Sequence, residues 1–121
     1  MIFKASNAEL EIICSKLKTA VSEKIPLPVM ISYKIVKNVM AIEQALAPYR
    51  TVRDDLIEKY SSNGFISEKE EPDLYNKLRK ELEPASNEPV EVDISSMWLE
   101  DIRDERLPID FISAISFMIE D

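Results

Sequence analysis

Apolar residues recur every three or four positions in the first half of the chain, which is the spacing of helices with one buried face. The first such stretch covers residues 7–22, is capped by Ser6 or Asn7, and is ended by prolines. The second covers residues 29–60, and its predicted core positions are Ile35, Val39, Ile42, Leu46, Tyr49, Leu56 and Tyr60. Together the two stretches predict a helical hairpin.

Pro48 lies in the middle of the second stretch. A proline inside a helix removes one backbone donor and crowds the preceding turn. We therefore expect the long helix to kink or split near residues 45–49.

The segment after the long helix carries turn signals and then a third helical pattern. Gly64 suits a left-handed turn position, and residues 65–66 are expected to form a very short strand. A helix is predicted over residues 72–82, beginning at a proline, and Pro84 is expected to end it.

Residues 89–98 alternate in polarity, as a half-buried strand does. One parity carries Val90, Val92, Ile94 and Trp98, and the other carries Glu91, Asp93 and Ser95. We expect the apolar side chains to face the core and the acids to face solvent.

The last helix is predicted to begin near Pro108, and apolar residues lie almost all around it. Such a helix is buried on most sides, either in the core or against a second chain. The complete pattern predicts one mainly helical α+β domain over residues 1–121. Its parts are the hairpin with a kinked long helix, a third helix, a small β-sheet and the apolar C-terminal helix.

Composition excludes most catalytic chemistry. The 121 residues are 45% hydrophobic and 31% charged, which is typical of a soluble globular protein. There is no histidine, which removes the common catalytic triads and imidazole metal sites, and the single glycine excludes glycine-rich phosphate loops. The single cysteine, Cys14, lies on an apolar helical face and is expected to be buried. We expect no enzyme, no metal and no cofactor.

The charge of the chain is strongly uneven. Its net value is −8, yet residues 81–121 alone carry twelve acids against two arginines, or −10. Such a surface repels nucleic acid and anionic membranes and attracts a basic protein surface. The candidate partner-binding residues are Glu91, Asp93, Trp98, Glu100, Asp101, Asp104 and Glu105, with Trp98 as the apolar anchor. The alternative is that the acids only solubilise the chain and that Trp98 belongs to the core.

The N-terminal segment does not have the pattern of a secretory signal. Lys4, Glu9 and Glu11 interrupt the apolar run that a signal peptide needs, and no stretch reaches the roughly 18 apolar residues of a membrane span. We therefore expect a cytoplasmic location.

The layout of residues 30–121 resembles that of small bacteriophage proteins of uncharacterised function. The likeness lies in the long helix ending YRTVRDDLIEKY, the turn NGFIS, the helix YNKLRKEL, the segment EPVEVDISSMWLEDI and the closing LPIDFISAISFMIED. This resemblance implies a phage origin and expression in the cytoplasm of a bacterial host, and it implies no functional residue.

These observations lead to two expected functions. The first is a non-enzymatic protein-binding module, phage-encoded, that acts on a host or phage protein through its acidic C-terminal half. In its sharper form it imitates nucleic acid and inhibits a host defence or nucleic-acid enzyme. The alternative is a structural or assembly protein that forms homo-oligomers through the apolar C-terminal helix.

Overall fold

The computed structural model describes residues 1–61, 64–103 and 105–120, and within them helices dominate over short strands. The helices are α1 Asn7–Ser22, α2 Val29–Tyr60, α3 Pro72–Ser86, α4 Leu99–Ile102 and α5 Ile109–Ile115, followed by a 3-10 turn, Ser116–Met118. The strands are β1 Ile2–Ser6, β2 Pro89–Asp93, β3 Met97–Trp98 and β4 Ile119–Glu120. The mainly helical α+β class is confirmed.

The two long helices have the predicted bounds. Ser6 caps α1 by a reciprocal box in which its Oγ accepts from the Glu9 N–H at 3.2 Å and the Glu9 carboxylate accepts from the Ser6 N–H at 3.3 Å. On α2, Pro48 lies inside a continuous helix, so the helix is not split there. Proline leaves only one carbonyl without its helical donor, that of Gln44. Helix α2 packs on both α1 and α3.

The turn after α2 and the end of α3 differ from expectation. Gly64 has the left-handed φ of 75°, as predicted, but residues 65–66 form no strand. Helix α3 continues through Pro84 to Ser86, so the predicted stop at Pro84 is wrong. The carbonyl that loses its donor there belongs to Lys80, which is exposed, so water can satisfy it.

The predicted strand over residues 89–98 is divided between two sheets. Strand β2 pairs antiparallel with β1, a strand that the sequence pattern did not predict, in the register Ile2 with Asp93. Strand β3 pairs parallel with β4 at the other end of the same segment. Strand β2 ends at Asp93: Ile94 still exchanges backbone hydrogen bonds with Met1, whereas the backbone of Ser95 is bound by the Asn38 side chain.

One hydrophobic core joins α1, α2 and the C-terminal elements. It contains Leu10, Cys14 and Leu17 of α1, Ile35, Ile42 and Leu46 of α2, and Val92, Ile94, Met97, Phe111, Ile115 and Met118 of the C-terminal region. Cys14 is buried, as predicted. The C-terminal apolar helix is shorter than expected, and its buried side chains enter the chain's own core, while Ile109 and Ile112 remain exposed.

No helix among the described residues combines the length and the apolar character needed to cross a membrane.

Candidate protein-binding surfaces

Trp98 is exposed to solvent, although strand parity predicted it on the buried side. Its side chain is 55% exposed and that of Leu99 is 50% exposed, whereas the neighbouring Met97 is fully buried. Since residues 94–96 interrupt the strand, the alternation that holds from Val90 to Ile94 does not continue to Trp98. The tryptophan therefore belongs to the surface, as the partner-binding prediction required, and not to the core.

The surroundings of Trp98 form an open depression of about 560 Å³, lined by Trp98, Leu99, Glu100 and Arg103. The Asp101 carboxylate accepts a hydrogen bond from the Trp98 backbone N–H at 3.0 Å and so caps the short helix α4. We call Trp98, Leu99, Glu100, Asp101 and Arg103 the tryptophan corner. It combines an apolar anchor with both signs of charge.

The other predicted acids lie apart from this corner or are partly compensated. Glu91 and Asp93 are exposed on β2, in a different sheet from Trp98. Lys4 lies directly opposite Glu91 in the β1–β2 register, and the N-terminal ammonium is 3.5 Å from the Asp93 carboxylate. Their surface is therefore less negative than the sequence of β2 alone indicates.

The last two predicted residues add little to the corner. Glu105 is half-buried. Asp104 lies outside the described residues.

A second surface, which the sequence analysis missed, lies on α2. Val29, Met30, Tyr33, Val36 and Met40 are exposed, from 47% at Val36 to 81% at Val29. Four of them follow one another at spacings of four, three and four residues, so they form a stripe along one side of the helix. We call these five residues the outer face of α2.

Helix geometry places the outer face away from the core. With a rotation of roughly 100° per residue, the stripe lies on the side of α2 opposite Ile31, Ile35, Asn38 and Ile42, which are all buried. Lys37, which is exposed, borders the stripe. The spacing was visible in the sequence, but an exposed stripe and a core stripe have the same period, and only the position of the core distinguishes them.

The charged side chains with the closest contacts hold helices together. The Glu11 carboxylate accepts two hydrogen bonds from Arg50, at 2.6 and 3.3 Å, and Arg53 adds a third at 3.5 Å. The hydrogen bond that Arg50 donates to the Glu11 carboxylate raises the pKa of Arg50 above its already high ordinary value. This cluster joins α1 to α2, so we assign it to the fold.

Among the described residues, no group of three acids or cysteines is arranged to hold a metal ion. Comparison of the chain with protein-family models, with curated proteins and with solved structures gave no match.

Proposed function

We propose that this protein is a non-enzymatic protein-binding module whose main contact surface is the outer face of α2. The observation that carries the proposal is the stripe of four apolar side chains, Val29, Tyr33, Val36 and Met40, exposed on the side of the helix turned away from the core, with Met30 at its edge. Scattered apolar residues on a surface need no explanation, but a continuous stripe marks an interaction site.

The spacing of the outer face indicates the shape of the partner. Val29, Tyr33, Val36 and Met40 repeat as the seam positions of a two-helix packing do. From Val29 to Met40 the stripe extends for roughly 16 Å, since a helix rises about 1.5 Å per residue. A partner helix with its own apolar seam fits this surface. Lys37 at the border favours an acidic residue on the flank of that helix.

A second candidate function uses the tryptophan corner and the acidic C-terminal half. Its support is the exposure of Trp98 next to Glu100, an arrangement of an aromatic anchor beside a charged rim that is common at protein interfaces. In this form the protein is an acidic, phage-encoded inhibitor that docks on the basic groove of a host enzyme. Self-assembly through the C-terminal helix is less favoured, since Phe111, Ala114 and Ile115 of that helix are buried in the chain's own core.

The test compares what three immobilised variants retain from a bacterial lysate, at low and at moderate salt. Met40→Glu introduces a charge into the outer face, and Thr51→Glu introduces the same charge at an exposed position farther along the same helix. Trp98→Ala removes the anchor of the tryptophan corner. We expect a protein that wild type and Thr51→Glu retain and that Met40→Glu does not. If the retained protein is lost only with Trp98→Ala, and also at higher salt, the binding surface is the tryptophan corner and not the outer face of α2.

The oligomeric state of the purified protein completes the test. The binding module is supported if wild type sediments as a monomer and the protein captured from the lysate has a different sequence. Sedimentation as an oligomer that Met40→Glu dissociates would mean that the outer face binds a second copy.

A further inference from the structure

A cleft of about 390 Å³ separates the second half of α2 from α3. Its size lies in the range of roughly 300 to 1,000 Å³ that small-molecule sites occupy. Side chains of Ile57, Leu78 and Leu82 are among those that line it, so its wall is largely apolar.

Hydroxyl hydrogen bonds join the two helices around the cleft. Tyr49 and Ser86, which both line it, share a hydrogen bond with an oxygen–oxygen distance of 3.0 Å. Nearer the end of α2, the Tyr60 hydroxyl donates to the Glu81 carboxylate. The two helices are thus connected at two levels, and the cleft lies in the same helix pair.

The charge of the cleft is opposite to that of the chain. The protein has a net charge of −8, yet Arg53 and Arg79 line the cleft, and no acid is found among its described lining residues. Arg53 is occupied by Glu11 and Asp54, at 3.5 and 3.3 Å. Arg79 makes no ion pair with any residue in the described part of the chain. Arg79 is exposed. A guanidinium that has no ion-pair partner among the described residues and lies beside an apolar wall is suited to bind a carboxylate.

We propose that this cleft binds a small amphipathic carboxylate of the medium-chain fatty acid type. The hydrocarbon part lies against Ile57, Leu78 and Leu82, and the carboxylate accepts hydrogen bonds from Arg79. This site is separate from the outer face of α2, which is formed by the first half of the helix, and it does not depend on the function proposed for that face.

The probe is decanoate, titrated into the full-length protein by calorimetry, with decanol as an uncharged ligand of equal chain length. Arg79→Gln removes the proposed cation. The matched control is Lys80→Gln, which removes one positive charge from the next, exposed position of α3 that does not line the cleft.

We expect decanoate to bind wild type and Lys80→Gln about tenfold more tightly than it binds Arg79→Gln, as a charge-assisted hydrogen bond predicts. Decanol should bind all three with equal, weaker affinity. Amide chemical shifts on decanoate binding should change at residues 49–57 and 75–86. Three results would overturn the proposal. They are an equal loss of affinity in Arg79→Gln and Lys80→Gln, chemical-shift changes confined to residues 29–40, and no binding of monomeric decanoate.

Discussion

Asn38 in α2 makes a two-way hydrogen bond with the backbone of Ser95. Its Nδ2 donates to the Ser95 carbonyl at 2.8 Å, and its Oδ1 accepts from the Ser95 N–H at 2.7 Å. The Asn38 side chain is fully buried, and its Nδ2 also lies 3.4 Å from the sulfur of Met118. One side-chain amide therefore takes the place of a sheet partner for the backbone of Ser95.

Replacing this amide should be costly. Asn38→Leu has a similar volume but leaves the N–H and the carbonyl of Ser95 without this partner, at about 1 to 3 kcal/mol for each buried group. We expect the free energy of unfolding, measured with urea, to fall by about 2 to 6 kcal/mol. Asn76→Leu, at an exposed position of α3, is the control and should change stability by less than about 0.5 kcal/mol. A similar small change for Asn38→Leu would refute the structural role of this contact.

The contact between Glu11 and Arg50 should contribute a smaller, salt-dependent part of stability. Both side chains are roughly three-quarters buried, with 28% and 27% exposure, and the geometry is bidentate. We expect Glu11→Gln to lower the free energy of unfolding by about 1 kcal/mol, at the upper end for ion pairs near a surface.

The more exposed pair between Lys18 and Glu43, 3.0 Å apart, provides the comparison. Lys18→Gln should cost less than Glu11→Gln, because exposed side chains must be ordered and are screened by salt. A double-mutant cycle on Glu11 and Arg50 that gives no coupling energy would contradict this prediction.

The contact between Tyr60 and Glu81 predicts a loss of stability at high pH. The hydrogen bond to the carboxylate favours the protonated phenol and raises the pKa of Tyr60 above its ordinary value of 10.0. A raised pKa in the folded state means that the stabilisation is complete below the unfolded value and is lost as pH rises through the folded one. We expect the free energy of unfolding to decrease over this alkaline range. In a pH titration, the tyrosinate absorbance of Tyr60 should appear at a higher pH than that of an ordinary tyrosine. In Tyr60→Phe this part of the decrease should be missing.

Trp98 is the single tryptophan of the chain, so the tryptophan fluorescence reports the exposure of this side chain alone. Since its side chain is about half exposed, its fluorescence should be quenched readily by iodide or acrylamide in the folded protein. Trp98→Ala should lower the free energy of unfolding by about 1 kcal/mol or less, whereas a buried tryptophan costs about 3 to 5 kcal/mol. A blue-shifted emission that iodide and acrylamide do not quench would mean that Trp98 is buried in the core.

Local periodicity was sufficient to predict α1, α2 and strand β2, but it predicted neither β1 nor the short helix α4. The bounds of α1 and α2 follow from the apolar spacing, the Ser6 cap and the prolines between them. Strand β1 is five residues long, and its partner β2 lies far along the chain, so no local pattern indicates the pairing. The break at residues 94–96 depends on Asn38, a contact across 57 positions.

The candidate sites show the same limit. Exposure of Glu91, Asp93, Glu100 and Asp101 was predictable, because charged side chains are almost never fully buried. Their division between two regions was not, because it depends on where the strand breaks. The sequence of α2 contains two apolar stripes, the outer face and the stripe that enters the core. Only the packing of α1 and the C-terminal elements decides which of the two is covered.

The pairing of β1 with β2 has a consequence for the order of events during synthesis. The N-terminal ammonium contacts Asp93, 92 positions away. Helices α1 and α2 can dock as soon as both have left the ribosome, since neighbours in sequence meet quickly. At that moment Leu10 and Leu17 still lack Val92, Phe111 and Met118 over them. The nascent chain must therefore carry a half-covered hairpin until the residues up to Met118 have left the ribosome.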